Sequence, residues 1–189
     1  IPVIFYLEGD NLKHKRIDPG LYSKKKKGWK KSISLKVSEE GDKVLQKEVL
    51  DFFKEEAPNL GEISINGRHI AISDTLEEMN TYIHSKIWDS FGSNTKTIFK
   101  TSKDSLQYFS DDKPIFMINS INGRQNYKQS KEDYCILLGL IEKPTKFWRG
   151  SVGLVYKPTS KEFYYATMNS DSFYKMGSIK KRIMTTTSP

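Results

Sequence analysis

The residues with the most chemical potential crowd into one stretch. Between Asn11 and Lys36 the chain reads NLKHKRIDPGLYSKKKKGWKKSISLK. Ten of these residues are cationic: Lys13, Lys15, Arg16, Lys24, Lys25, Lys26, Lys27, Lys30, Lys31 and Lys36. Asp18 alone opposes them, so the segment carries about +9 against +8 for the whole chain. The residues outside it hold 21 basic and 22 acidic side chains, so the positive charge is local. Clustered ammonium groups neutralise phosphates and release counterions from a polyanion. Tyr22 and Trp29 sit among the lysines, and unpaired bases stack on such rings at about 1–3 kcal/mol per base. The expected partner is nucleic acid, RNA or single-stranded DNA in preference to duplex.

A second candidate surface lies near the C-terminus. Phe147, Trp148, Arg149, Phe163, Tyr164, Tyr165, Phe173, Tyr174, Lys175, Lys180, Lys181 and Arg182 fall on neighbouring strands and turns. Sheets that expose aromatics beside cations stack bases in several RNA-binding folds. Trp148, Arg149, Lys180, Lys181 and Arg182 therefore join the basic segment as candidate nucleic-acid contacts. FWRGSV at Phe147–Val152 resembles a strand motif of picorna-like virus capsid proteins, in which an aromatic-Trp-Arg-Gly run opens a jelly-roll strand. That resemblance implies a structural coat- or matrix-like viral protein as an alternative. A further alternative is a cap- or nucleotide-binding domain of a viral polymerase, in which two aromatics sandwich a cationic base.

Other chemistries have less support. A metal-dependent nuclease needs carboxylates converging on a cation, and Asp111, Asp112 and Glu142 with Lys143 are the candidates. The acidic-x-Lys spacing on one strand is absent there. His14, His69 and His84 have no ligand spacing, and neither GxxxxGK[ST] nor GxGxxG occurs. The chain is accordingly expected to need no cofactor and to be a binding module in preference to an enzyme.

These residues must be positioned by elements that periodicity reveals. Ile1 to Leu7 reads as a strand, and Lys31 to Val37 as another by its alternation. Leu45, Val49, Phe52 and Phe53 predict a helix over Asp42 to Glu56, capped by Asp42 and ended by Ala57-Pro58-Asn59. Asn66-Gly67 predicts a hairpin over Glu62 to Ile72. Leu76, Met79, Ile83, Ile87, Trp88 and Phe91 predict a helix over Asp74 to Phe91, with Asp74 and Glu77 as a capping box. Strands follow at Thr97 to Lys100, Lys113 to Ile121, Tyr134 to Ile141, Phe147 to Tyr156, Glu162 to Met168 and Ile179 to Thr185. Asn122-Gly123 marks a turn, Asn126 to Lys131 a surface loop, and Asn169 to Gly177 a connection. SINGR occurs at Ser64–Arg68 and again at Ser120–Arg124, and both copies read as Asn-Gly turns.

The expected fold class is α+β: a single domain with an antiparallel or mixed sheet and two amphipathic helices packed on one face. With 37% hydrophobic and 12% aromatic residues over 189 positions, the chain can build a core. No apolar run reaches the ~18 residues of a membrane span. One cysteine, Cys135, excludes a disulfide framework. It fits a reducing intracellular compartment, cytoplasmic or nuclear. The start at Ile1-Pro2 suggests a piece of a larger polypeptide.

Overall fold

The computed structural model describes residues 3–8, 11–16, 33–100, 109, 112–143 and 146–184. They belong to two compact units, Ile1–Glu40 and Gly41–Pro189. In the first, β1 (Val3–Glu8) and β2 (Asn11–Arg16) form an antiparallel hairpin, with Val3 opposite Arg16 and Glu8 opposite Asn11. The strand expected at the N-terminus is therefore present. The strand expected over Lys31 to Val37 is not, because the backbone from Ile33 onward is helical. Ile33 and Val37 lie one helical turn apart in sequence, so their spacing fits either period.

Helix α1 (Ile33–Asn66) runs much further than the sequence predicts. Asp42 lies inside it, not at its cap, and Pro58 fails to end it. A proline removes one helical hydrogen bond. The apolar stripe nevertheless continues across it: Val49, Phe53, Ala57, Leu60 and Ser64 are fully buried at three- and four-residue spacing. The hairpin expected over Glu62 to Ile72 is likewise absent. Asn66 ends α1, and Gly67–His69 form one 3-10 turn leading to α2 (Ile72–Phe91). Gly67 is buried where α2 crosses it, and Thr75 Oγ1 donates to its carbonyl at 3.0 Å. A Cβ on Gly67 would lie 2.5 Å from Thr75 Cγ2, so close approach explains this glycine and a hairpin turn does not.

Helix α2 forms as its period predicts, with Thr75, Met79, Ile83 and Ile87 buried at successive turns. Its start differs from expectation. Ala71 is the N-cap and makes no side-chain cap, while Asp74 sits in the first turn, where it favours the positive end of the helix dipole.

The rest of the second unit is a seven-stranded sheet in the order β3 (Lys96–Phe99), β4 (Ile115–Asn122), β5 (Cys135–Glu142), β6 (Arg149–Lys157), β7 (Glu162–Thr167), β8 (Ser172–Met176) and β9 (Ile179–Ile183). The β3–β4 pair is parallel and every later pair is antiparallel. Strand β8 falls where a connection was expected. Cross-strand ring pairs order it: Phe173 stacks on Tyr165 at 5.7 Å, and Tyr174 meets Tyr164 at 5.1 Å. A short helix α3 (Arg124–Lys128) replaces the first part of the expected surface loop.

Both long helices pack on one face of this sheet. Phe52 and Phe53 of α1 and Phe91 of α2 surround the fully buried Phe116 of β4, with ring centroids 5.1–6.4 Å apart. Ile136, Leu138 and Leu140 of β5 and Val152, Leu154 and Tyr156 of β6 complete the core. The alternate residues of β5, Cys135, Leu137, Gly139 and Ile141, are half-buried on the opposite face. The architecture is α+β with a mixed sheet, as the sequence predicts.

Candidate functional site

The sheet changes pairing direction at β4, parallel to β3 on one side and antiparallel to β5 on the other, and polar residues gather at its carboxyl end. The strand is irregular there. Asn119 faces Leu137 and Asn122 faces Cys135, so β4 carries one residue more than β5 over this interval. Such bulges re-aim side chains. In this one both Ser120 and Ile121 are buried. Ser120 Oγ donates to Asn80 Oδ1 of α2 at 2.6 Å. Asn119 is 9% exposed, and its Nδ2 donates to Asn122 Oδ1 at 3.0 Å. Asn122 Nδ2 lies 3.7 Å from Cys135 Sγ.

The corner around this cluster is tightly held. Gly123 follows at φ 91°, and a Cβ there would meet the Asp133 carbonyl oxygen at 2.9 Å. Only glycine enters that conformation freely. Asn126 Nδ2 donates to the same carbonyl at 2.8 Å. Tyr127 Oη donates to the Ser64 carbonyl at 2.6 Å, and Tyr134 Oη lies 2.8 Å from Ser64 Oγ. The Arg68 guanidinium lies over both tyrosine rings, at 5.8 and 5.2 Å. The end of α1 thus pins the two chain segments that flank the bulge.

Chemically the bulge presents a neutral amide pair, Asn119 and Asn122, beside Cys135 on one face, and a neutral Ser120–Asn80 pair on the helix face. Burial pushes the Cys135 thiol up, against smaller opposing effects of the Asn122 hydrogen bond and the Lys157 charge. A thiol held protonated is a poor nucleophile. The buried carboxylates lie elsewhere. Glu142 accepts from Gln46 Nε2 at 3.2 Å, at the far end of β5, about 23 Å from Cys135 at the usual strand rise. Glu56 accepts from Tyr82 Oη at 2.6 Å and Asn59 at 3.1 Å. Among the described residues no three His, Cys, Asp or Glu side chains are placed to share a metal ion.

The residues singled out from sequence are scattered by comparison. Lys13, Lys15 and Arg16 lie on β2, opposite Tyr6, Ile4 and Val3. Tyr22, Lys24, Lys25, Lys26, Lys27, Trp29, Lys30 and Lys31 fall outside the described residues. Trp148 is half-buried, edge-on to Phe109 at 5.2 Å, with Lys143 Nζ 5.8 Å from its ring. Arg149 is exposed at the start of β6, opposite Glu142. Lys180 lies over Phe173 at 4.4 Å, and Arg182 bonds Asp171 at 2.6 Å. Lys181 is exposed opposite Tyr174. Two strands separate Arg149 from the β9 cations.

One face of the aromatic meander is core. Tyr165 is 7% exposed under Lys54 Nζ at 4.1 Å, and Phe163 packs on Tyr156 at 4.6 Å. Tyr164 and Tyr174 touch each other, which leaves no gap for a sandwiched base. Of the nuclease candidates, Asp111 is outside the described residues, Asp112 is bridged to Lys143 at 2.7 Å, and Glu142 is bonded to Gln46. FWRGSV enters a meander backed by helices, not a two-sheet jelly roll.

What sequence reasoning missed is Asn80, Asn119, Ser120 and Asn122. Their signal was two consecutive polar residues, Asn119 and Ser120, inside an otherwise apolar strand. The second SINGR copy marks the same place.

No protein-family model matches this sequence, and no curated protein does. Solved structures do. The IMPase TM1415 of Thermotoga maritima is 17% identical, with TM-score 0.56, over 68% of this chain and 51% of that one. The inositol monophosphatase of Anabaena (Nostoc) is 14% identical, with TM-score 0.55, over 69% and 46%. Staphylococcal IMPase-II, solved with inositol monophosphate bound, is 15% identical, with TM-score 0.56, over 69% and 48%. The same protein has been solved with 2′AMP bound. This chain thus spans about half the length of the structures it matches.

These neighbours overturn the expectation of a nucleic-acid-binding module, RNA- or DNA-binding, and the viral coat, viral polymerase and nuclease alternatives with it. No helix among the described residues is long and apolar enough to cross a membrane. The mixed sheet with its two long helices has the fold of the inositol monophosphatases.

Proposed function

We propose that this protein handles small phosphate monoesters and binds them at the carboxyl end of β4. The observation that carries the reading is the shared fold, with TM-scores of 0.54–0.57 against inositol monophosphatase and SuhB structures. Two of those structures hold phosphate monoesters, inositol monophosphate and 2′AMP. The Asn119–Asn122 pair at the bulge has the right donors, since amide N–H groups bond phosphate oxygens.

The test is isothermal titration of the 189-residue chain with inositol monophosphate, 2′AMP and unphosphorylated inositol. Binding of the phosphorylated compounds alone is expected. Equal binding of inositol and its phosphate, or binding of neither, would overturn the reading.

A further inference from the structure

Phosphatases that cleave monoesters commonly use paired metal ions about 3.5–4 Å apart, which stabilise both the attacking and the leaving oxygen. Magnesium-like ions are held by carboxylate and other oxygen ligands in such sites. The fold therefore implies a divalent cation, and the donor set at the end of β4 can be tested against that need.

The donors do not fit. The side chains that meet at the bulge on the face away from the helices are Asn119 and Asn122, both neutral, while Ser120 turns to the helix side and Asn80 of α2. An amide oxygen ligates a cation but brings no negative charge, and each amide here also presents N–H groups that repel one. The two amides further bond each other: Asn119 donates to Asn122. Among the described residues no nearby carboxylates gather to compensate. Glu132 and Asp133 are exposed in the loop over Gly123, and among the described residues no trio of potential ligands exists. Glu56, Glu142 and Asp112 have other partners.

The same chemistry favours a bare phosphate. An amide N–H is a donor, whereas an ionised carboxylate is an acceptor only. A carboxylate pair without its metal repels a phosphate dianion, and an amide pair attracts it. We propose, resting on the phosphate-monoester reading above, that the β4 site binds its ligand through Asn119 and Asn122 without a divalent cation and leaves the ester intact. The chain is then a receptor or carrier of the phosphorylated molecule instead of its hydrolase.

The experiment titrates inositol monophosphate into the 189-residue chain in EDTA and in excess Mg²⁺, and follows release of inorganic phosphate in both. Expected are dissociation constants equal within twofold and no phosphate release. Binding that appears only with Mg²⁺, or Mg²⁺-dependent release, overturns this inference while the phosphate-monoester reading stands. Binding in neither condition overturns both. Asn122→Asp keeps shape and adds charge. It is expected to weaken binding in EDTA at least tenfold, the loss of about one charge-assisted hydrogen bond. Unchanged affinity of a folded Asn122→Asp chain, checked by its thermal midpoint, removes Asn122 from the site and with it the inference.

Discussion

Gly67→Ala tests how the α1–α2 corner is built. The added Cβ would lie 2.5 Å from Thr75 Cγ2 and 3.0 Å from Thr75 Cβ, and it would meet Oγ1 as well. Thr75 is fully buried on α2, so it cannot swing out to solvent. Overpacking of this kind destabilises by about 1–3 kcal/mol. Removing glycine's freedom in the unfolded chain returns about 0.4–1 kcal/mol. The net expectation is a loss of about 1.3 kcal/mol, the difference between the middles of those ranges. Thr75→Ala alone deletes the 3.0 Å bond to the Gly67 carbonyl. That carbonyl keeps its bond from the Ile70 N–H, so the loss is about 1 kcal/mol. In the double variant the two nearest clashing atoms, Oγ1 and Cγ2, are gone and only Cβ remains, at 3.0 Å. It should be less destabilised than the sum of the single variants by about 1 kcal/mol. Urea unfolding followed by tryptophan fluorescence reads all four corners of the cycle, with the slope unchanged. Strict additivity, or a Gly67→Ala midpoint equal to the parent's, would refute the close-approach account.

Phe116→Ala empties the centre of the ring cluster formed with Phe52, Phe53 and Phe91. It should cost about 3–5 kcal/mol in the same urea assay, and a loss below ~1 kcal/mol would contradict its place in the core. Tyr82 is pushed up to about 12, first by desolvation and then by its hydrogen bond to Glu56. A raised folded-state pKa supports stability below the unfolded value near 10, and that support is lost as pH rises through about 12. The parent should therefore lose stability relative to Tyr82→Phe between pH 10 and 12, and parallel curves would refute the assignment. Cys135, half-buried with its thiol pushed up by desolvation, should react with a thiol reagent at pH 8 at least ~10 times more slowly than in urea. Equal rates would place it in solvent.

Much of the fold was legible where one period ran uninterrupted. Thr75, Met79, Ile83 and Ile87 repeat every four residues, and α2 formed accordingly. The runs IFMINSIN, CILLGLIE and RGSVGLVYK became β4, β5 and β6. Failures came where a strong local signal met stronger packing. Pro58 and Asn66-Gly67 read as breaks, yet burial of Ala57, Leu60 and Ser64 carries the helix through the first and up to the second. Strand β8 was hidden because its partner rings, Tyr164 and Tyr165, are remote in pattern until the strands pair.

The site was less legible than the fold for a different reason. Charge is visible in a one-dimensional string, and the lysine run drew the functional reading to itself. The bulge at Asn119–Asn122 becomes a site only once β3 lies parallel to β4. Likeness to known proteins is carried by topology, at 8–17% identity, which no short motif displays.

The cations on β9 have a consequence for solubility. Every strand from β4 to β8 pairs on both sides, while β9 pairs on one side only among the described residues. Its sequence is Ile-Lys-Lys-Arg-Ile, with Ile179 and Ile183 46% and 40% exposed. An unpaired edge flanked by exposed β-branched residues is a template for another chain's strand, and like charges along it block that docking. Lys180, Lys181 and Arg182 thus act as gatekeepers against intermolecular sheet growth. Removing their charge would turn the rim of the sheet into an aggregation seed.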